Sequence, residues 1–304
     1  MEEKKVPVLF LIFKRKDTAL MAFNSIKKYQ PKRLYIAADG PRSSVDGEID
    51  DCKATREAIL ETIDWECNIK TLFRDENLGC TGAVNSGISW FFEHEDYGVI
   101  IEDDIVLSID FLKMCEVLLP RYEKDSQVMA ISSRNHSGKC EESDEYCFVN
   151  SLHIWGWATW RRAWALNPQD FAGWKEYHKR QLIKRYGLFE GLMSIYYYNM
   201  CSNPHSGFFS WDYAWTFHIA KYDGIVIIPK VNLSSNVGIG VAGSANYKED
   251  DKDPYEHLKV GRIKWPIKMR DKICLDIDQI RSDQEDFFRI RMIGLQKKIK
   301  RLFK

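Results

Sequence analysis

The first 130 residues alternate short apolar runs with longer amphipathic ones. The apolar runs predict buried β-strands at Val6–Phe13, Arg33–Ala38, Asn68–Phe73, Tyr97–Ile101 and Gln127–Ile131. Helical periodicity between them predicts helices near residues 17–29, 47–63, 80–93 and 109–122. This alternation is typical of β-α-β units around a mainly parallel sheet. We therefore expect an α/β protein that binds ligands outside the carboxyl ends of its strands.

The composition narrows the class of protein. The chain has 304 residues, with 44 basic and 44 acidic side chains and 45% hydrophobic residues, which predicts a globular fold. A net charge of zero provides no overall field for a polyanion, so general nucleic-acid binding is not indicated. The apolar run Val6–Phe13 is much shorter than the roughly 20 residues that span a bilayer. Since no small-residue cleavage site follows it, we expect a cytoplasmic protein.

The eight cysteines are scattered through the chain. They do not form a C-x-x-C pair of the kind found in zinc knuckles or redox centres, so we expect reduced, mostly buried thiols. The positions are Cys52, Cys67, Cys80, Cys115, Cys140, Cys147, Cys201 and Cys274.

The second half of the chain is rich in aromatic residues. Seven of the ten tryptophans lie between Trp155 and Trp215. Because a Gly/Ser/Pro linker is missing from the sequence, we expect one fused unit with segments 1–132, 133–250 and 251–304. In the last segment, residues 287–304 combine an apolar 3, 4, 3 spacing with many lysines and arginines. That pattern predicts a basic amphipathic helix, which rests either on an anionic membrane or on the protein body.

The most informative motif is Glu102-Asp103-Asp104, which follows an apolar strand. Adjacent carboxylates repel each other, and burial raises their pKa values, so the triplet needs compensation. Mg²⁺ or Mn²⁺ holding a nucleotide diphosphate would supply it. A solvated turn or a helix cap is the alternative, although the preceding apolar strand favours a metal.

Polar residues also follow the first two strands. Asp39, followed by Gly40 and Pro41, would accept hydrogen bonds from a base or ribose, or else form a simple Asx turn. Arg15 would suit a phosphate or a base. A solvated basic turn, with Asp17 or Thr18 capping the next helix, explains Arg15 equally well.

The third strand leads into residues 74–82, which precede an amphipathic helix. Free backbone N–H groups at a helix start attract anions, and Gly79 and Gly82 permit close approach. The segment is neither a G-x-G-x-x-G nor a Walker motif, and a simple capped helix start is the alternative. Four successive strand ends thus carry the polar groups that a metal-nucleotide complex needs.

These motifs resemble those of the GT-A nucleotide-sugar glycosyltransferases. Glu102-Asp103-Asp104 stands where that family has its D-x-D element. The segments Val6–Phe13 and Leu34–Arg42 look like those of bacterial nucleotide-diphospho-sugar transferases of surface polysaccharide assembly. The likeness covers about the first 245 residues. A more distant likeness is to N-acetylglucosaminyltransferase I, which also ends a buried strand in Glu-Asp-Asp.

The resemblance implies a fold and an activity. The fold is the GT-A α/β fold, with residues 1–132 as a Rossmann-like nucleotide-sugar half, 133–250 as the acceptor side and 251–304 as an extension. The activity is a metal-dependent, inverting hexosyl transfer from a nucleoside-diphosphate sugar, with a UDP-sugar favoured. The acceptor would be a hydroxyl of a growing bacterial glycan, either free or linked to a lipid. The cofactor would be Mn²⁺ or Mg²⁺. A contact with the inner face of an anionic membrane would fit such an acceptor.

The resemblance also assigns residues. Asp212, in Ser210–Trp215, would be the catalytic base, unless it only caps the following helix. Asp104 with Glu102 would hold the metal. The nucleotide-sugar site would comprise Arg15, Asp39, Arg42, Asn77, Gly79, Thr81, Glu102, Asp103, Trp157 and Asn236.

Two segments of the second half leave alternatives open. Trp157, next to Gly156, would pack against a sugar ring or simply belong to the core. The glycine-rich run Asn232–Gly240 would close over the donor or remain an exposed loop. A histidine that family members carry soon afterwards is missing from residues 242–246, so we do not expect a histidine ligand there.

Two other functions compete with glycosyl transfer. A sugar nucleotidyltransferase would also use a metal and a nucleotide, but it should have a glycine-rich loop with a basic residue near the first strand, and the sequence lacks one. A non-catalytic carbohydrate-binding protein would explain the tryptophans but not three acids at a strand end.

Overall fold

The computed structural model describes residues 5–137, 145–241, 255 and 258–302, and it describes the side chains of these residues up to 292. The predicted features at Cys140 and residues 242–246 lie outside this part of the chain. The strands are β1 Val8–Ile12, β2 Arg33–Ala38, β3 Asn68–Phe73, β4 Tyr97–Glu102, β5 Ile105–Leu107, β6 Val128–Ser132, β7 Tyr146–Val149, β8 Trp157–Trp160, β9 Ile225–Pro229 and β10 Ser234–Asn236. The helices are α1 Lys16–Tyr29, α2 Glu48–Glu61, α3 Gly79–His94, α4 Ile109–Arg121, α5 Arg161–Trp164, α6 Arg180–Tyr186, α7 Leu188–Ser202, α8 Trp211–Lys221 and α9 Ile277–Leu302.

Eight strands form the central sheet, in the order β3-β2-β1-β4-β8-β6-β9-β7. The first four in this order are parallel neighbours. β8 runs antiparallel to β4 and β6, and β7 runs antiparallel to β9. The expected α/β fold with a mainly parallel sheet flanked by helices is therefore confirmed. Its second half adds the two reversed strands to the same sheet.

Both faces of the sheet are buried around its central strand β1, as expected for a strand with a continuous apolar run. Phe10 of β1 packs on one face against Phe23 of α1, with ring centroids 5.5 Å apart. Leu9 and Leu11 point to the other face and join a cluster with Ile88 of α3. Because successive side chains of a strand alternate between faces, β1 anchors a helix on each side.

The structure corrects three expectations. β3 is an edge strand whose first four residues are exposed, so its prediction as a buried strand is wrong. The C-terminal helix begins at Ile277 rather than near Phe287. Cys147 is disulfide-bonded, so the expectation of reduced thiols is wrong there, whereas Cys52 and Cys115 are free and buried.

A short second sheet was not expected from the sequence. β5 follows the acidic triplet and pairs antiparallel with β10, with Ile105 opposite Asn236. Both strands are three residues long, too short to show a period in sequence. The pairing brings residues 234–238 to the turn that carries the acids.

Candidate active site

The ends of four neighbouring strands meet at one edge of the sheet. Arg15 follows β1, Asp39 follows β2, Asn77 lies in the loop after β3, and Glu102 ends β4. Since β3, β2, β1 and β4 are parallel and adjacent, their carboxyl ends lie side by side. The structure thus brings together the polar residues that the sequence placed at successive strand ends.

The acidic triplet lies in the turn between β4 and β5, against the guanidinium of Arg15. Nη2 of Arg15 donates hydrogen bonds to Oδ1 of Asp103 and, at 3.2 Å, to Oδ2 of Asp104. A side chain of the protein therefore supplies part of the positive charge that these carboxylates require. The sequence alone did not predict this ion pair.

One arginine does not balance the carboxylates around it. Burial raises the pKa of Asp103 to about 6, although Arg15 opposes the shift. Burial and then Asp104, Asp103 and Asp212 raise the pKa of Glu102 well above its ordinary value. Oδ2 of Asp103 is buried and has no hydrogen-bond partner within the described part of the chain. The cluster therefore has excess negative charge for a proton or a further cation to neutralise.

The segment after β10 packs directly over this cluster. The backbone N–H of Val237 donates to the carbonyl of Asp104 at 2.8 Å. A Cβ at Gly238 would lie 2.6 Å from Oδ2 of Asp104 and 2.9 Å from Nη1 of Arg15, so a larger residue would push against both. Asn236 shapes this turn because its Oδ1 accepts a hydrogen bond from the Gly238 N–H at 2.7 Å.

Asp39 holds the loops after β2 and β3 together. Its carboxylate accepts hydrogen bonds from the amide nitrogen of Asn77 at 3.0 Å and from the backbone N–H of Leu78 at 2.9 Å. It also accepts from the N–H of Gly40, the next residue, at 2.9 Å. This bond is not the Asx turn considered above, which needs an N–H two residues on, where Pro41 has none. The backbone of Glu76 comes so close that a Cβ at Gly40 would lie 2.4 Å from it. Asp39 therefore has a structural role, and any contact with a nucleotide would be additional.

The start of α3 faces the carboxylates. Gly79 has a positive φ of 72°, and its N–H donates to Oδ1 of Asn77 at 3.1 Å. Local desolvation, followed by the charges of Glu102 and Asp212, raises the pKa of the Cys80 thiol to about 12. Thr81 is half-buried in the same turn. Cys80 was not predicted as part of this site, although its place between Gly79 and Thr81 was the available signal.

Asp212 reaches the same cluster from the second half of the chain. It lies in the first turn of α8, where its carboxylate accepts a hydrogen bond from the Ser210 hydroxyl. Burial raises its pKa, opposed by this bond and by the N–H groups of Tyr213 and of Asp212 itself. Asp212 thus lies inside the first turn of α8, one residue after its start, and its charge contributes to the raised pKa of Glu102.

Two predicted residues lie apart from this arrangement. The guanidinium of Arg42 pairs with the carboxylate of Glu48, at 2.8 Å from Nη2 to Oε2. Trp157 has an exposure of 0% and stacks on Trp211 with centroids 6.0 Å apart. Its ring has no open face for a sugar in this structure.

The described residues contain no group of three His, Cys, Asp or Glu side chains already arranged around a metal position. The donor types nevertheless suit a hard cation, since the site offers only carboxylate oxygens beside Arg15. The unpaired Oδ2 of Asp103 and the raised pKa of Glu102 are the features that a divalent cation would relieve.

Comparisons with known proteins yield only distant similarities. No protein-family model and no curated protein matches the chain. Three similar solved structures are the mannosyltransferase PcManGT from Pyrobaculum calidifontis in complex with GDP-Man and Mn²⁺ (15% identity, TM-score 0.33), mouse xyloside xylosyltransferase 1 (9%, 0.37) and a UDP-glucose pyrophosphorylase with UDP-glucose (10%, 0.32). The matches cover 62%, 72% and 54% of this chain and 48%, 84% and 80% of the other chains, respectively.

This chain therefore spans about half of PcManGT. The similar structures include both glycosyltransferases and a pyrophosphorylase, and they do not separate the two classes for this chain. None is similar enough to assign it an activity.

Proposed function

We propose that the chain is a metal-dependent glycosyltransferase that moves a hexose from a nucleoside-diphosphate sugar, preferably a UDP-sugar, to a glycan hydroxyl. The observation that carries the proposal is the under-compensated acidic cluster near the start of α3, where Oδ2 of Asp103 has no partner and the charge of Asp212 adds to the raised pKa of Glu102. A cation-diphosphate complex would neutralise the carboxylates, and the helix start would stabilise a phosphate.

The residues take different roles in this proposal. Asp104 and Glu102 would hold Mn²⁺ or Mg²⁺, and the cation would supply positive charge beside the leaving nucleoside diphosphate. The nucleotide would bind beside Arg15, Asp103 and Asn77. The ion pair and the hydrogen bonds described above hold these side chains in place. Asp39, Gly79, Thr81 and Asn236 complete the set proposed for donor binding. Arg42, which pairs with Glu48, and the enclosed Trp157 are not proposed as donor contacts.

Asp212 is proposed as the catalytic base. Its carboxylate takes the proton of the acceptor hydroxyl while that oxygen attacks the anomeric carbon, and the bond from this carbon to the diphosphate oxygen breaks. Attack opposite the leaving group inverts the anomeric centre. Burial supports the role because it raises the pKa of Asp212 and so strengthens the carboxylate as a base.

We further propose that the enzyme acts in bacterial surface-glycan assembly in the cytoplasm, touching the inner face of an anionic membrane through α7 and α9. Leu188, Leu192 and Tyr196 form an exposed stripe on α7, at 68%, 50% and 56% exposure. Phe288 of α9 packs on α7 through Phe189, with centroids 4.8 Å apart. No helix within the described ranges is long and apolar enough to cross a bilayer.

A product assay tests the activity. The protein is incubated with UDP-, GDP-, CDP- and dTDP-sugars plus Mn²⁺, and release of the nucleoside diphosphate is measured with and without glycan acceptors. Release that requires the metal and disappears in Asp104→Ala supports the proposal. Consumption of a nucleoside triphosphate and a sugar 1-phosphate with release of pyrophosphate would instead identify a nucleotidyltransferase.

A further inference from the structure

A small cavity lies beside β10, next to the segment that covers the acidic turn. Its volume is about 230 Å³, below the roughly 300–1,000 Å³ of pockets that take drug-sized ligands. It has room for a single ring rather than for a whole nucleotide sugar. Its walls include Arg134, Trp155, Asn232, Ser234, Asn236 and Tyr255.

Two polar atoms in these walls lack partners. Oδ1 of Asn232 and Oγ of Ser234 are buried and have no hydrogen bond to any described residue, and the two residues are only 6% and 4% exposed. The amide nitrogen of Asn232 donates to the carbonyl of Ser234 at 2.8 Å, which holds the side chain in place. Because burying a polar group without a partner costs stability, such a pair is expected where a ligand completes the hydrogen bonds.

The remaining walls include an arginine that lies between two aromatic rings. The guanidinium of Arg134 lies 3.7 Å from the ring centroid of Trp155 and 3.9 Å from that of Tyr255. The two aromatic rings meet edge to face at 5.3 Å. Aromatic surface beside a hydroxyl without a partner and an amide held by one hydrogen bond suits a ligand that is apolar on its face and rich in hydroxyls at its edge. A pyranose ring has both properties.

The cavity and the candidate active site share the strand β10. Ser234 and Asn236 belong to β10, which pairs with β5 directly after the acidic turn. The next residue, Val237, donates its N–H to the carbonyl of Asp104 at 2.8 Å. A ring bound in the cavity would therefore be held by the same strand that packs over the carboxylates.

We propose that this cavity is a sugar subsite that binds one pyranose ring of a substrate, and that the Ser234 hydroxyl and the Asn232 amide turn from their buried positions to meet the ring. The inference rests on the proposed glycosyl transfer and deepens it. The ring belongs either to the donor or to the acceptor glycan, since both present the same chemistry.

Ser234→Ala and Ser234→Val test the proposal, since the first removes the hydroxyl and the second fills the space beside it. Calorimetric titrations compare three probes: nucleoside diphosphates, the matching nucleotide sugars, and the methyl glycosides of glucose, galactose, mannose and N-acetylglucosamine. Loss of about tenfold in affinity for a nucleotide sugar, with unchanged nucleoside-diphosphate binding, assigns the cavity to the donor sugar. The same loss for a methyl glycoside alone assigns it to the acceptor.

Unchanged affinity for all sugar-containing probes in both variants overturns the proposal. Titration with nucleoside diphosphates tests the proposed function separately. If the wild-type protein does not bind them, the result counts against the transferase, while the titrations with methyl glycosides still test the subsite. If the wild-type protein binds no sugar-containing probe, the subsite is likewise refuted.

Thermal unfolding without ligand gives a second, independent readout. Removing an unpartnered buried hydroxyl relieves a cost, so Ser234→Ala is expected to raise Tm by about 2–4 °C. The control is Thr159→Val, because the Thr159 hydroxyl is equally buried but donates to the carbonyl of Met129 at 2.6 Å. We expect this control to lower Tm and to leave sugar binding unchanged. A fall in Tm for Ser234→Ala would show that its hydroxyl is already satisfied.

Discussion

Nη2 of Arg15 lies 3.2 Å from Oδ2 of Asp104, joining the loop after the first strand to the acidic turn after the fourth. The contact gives this turn a positive charge from the protein itself. A bound cation would therefore share these carboxylates with Arg15, and it would not be their only source of positive charge. The raised pKa values of Glu102 and Asp103 indicate that the arginine alone is not enough.

The first prediction concerns the metal. Asp104→Asn should abolish the Mn²⁺-dependent part of the thermal stabilisation by a nucleoside diphosphate, because it removes a charged ligand and leaves the size of the side chain unchanged. At a ligand concentration of 100 times Kd, this stabilisation should be about 2.7 kcal/mol. Thermal shift with and without EDTA measures it. Asp17→Asn, an exposed acid in α1, is the control, and equal stabilisation in both variants would exclude Asp104 as a ligand.

The second prediction concerns the base. Asp212→Asn should lower kcat by about 10²–10⁴-fold, because a carboxamide cannot accept the proton of the acceptor hydroxyl. The affinity for the nucleoside diphosphate should stay within about twofold, since Asp212 approaches the cluster from the acceptor half. Ser210→Ala tests positioning, as it removes the hydroxyl that donates to Asp212, and we expect a smaller loss of kcat. Equal losses of turnover and nucleotide affinity in Asp212→Asn would contradict the assignment.

The third prediction concerns pH and the packing of α9 on α7. Burial, followed by the charge of Asp283, raises the pKa of Glu190 to about 8. Burial also raises the pKa of Asp283 to about 7, opposed by hydrogen bonds from Gln279 and Ser137. Arg291 faces Glu190 and Asp286 faces Asp283.

The sign follows from the direction of these shifts. A carboxyl whose pKa is raised on folding contributes its stability fully below about pH 4 and loses it as the pH rises through about 7–8. Between pH 5.0 and 8.5 the loss for Asp283 should be at most about 3 kcal/mol, because its folded pKa of about 7 lies about two units above the lower pH. Urea unfolding of the wild-type protein should give a smaller free energy of unfolding at pH 8.5 than at pH 5.0. In Asp283→Asn the difference between the two pH values should be smaller. A wild-type stability that rises over this interval would contradict the prediction.

The fourth prediction concerns the membrane. The double variant Lys297→Glu/Lys298→Glu should weaken binding to phosphatidylglycerol vesicles by at least tenfold, because each basic residue near an anionic surface contributes about 1 kcal/mol. Leu188→Gln should also weaken it, through the exposed stripe of α7. Vesicle flotation measures both effects. Ile49→Gln is a matched control, since Ile49 is 61% exposed on α2 against 68% for Leu188, and equal losses in the two Gln variants would refute a specific membrane face.

Much of the α/β framework was readable from the sequence. The predicted strands Arg33–Ala38 and Asn68–Phe73 agree with β2 and β3 residue for residue, because apolar runs and helical periods are local properties. Local signals also located Arg15, Asp39 and Glu102 at strand ends. Their approach to one another was then a consequence of parallel neighbouring strands.

Only the tertiary structure decided which partners these side chains have. Sequence could not show that Arg15 binds Asp103 and Asp104, 88 and 89 positions away. Nor could it show that the edge strand β3 is exposed or that Trp157 is enclosed by other tryptophans, because burial depends on what packs against a residue. The sequence by itself determined the order of strands and helices and the chemistry at the strand ends. Folding decided the ion pairs, the short β5–β10 sheet and the cavity beside it, since each depends on distant segments meeting in space.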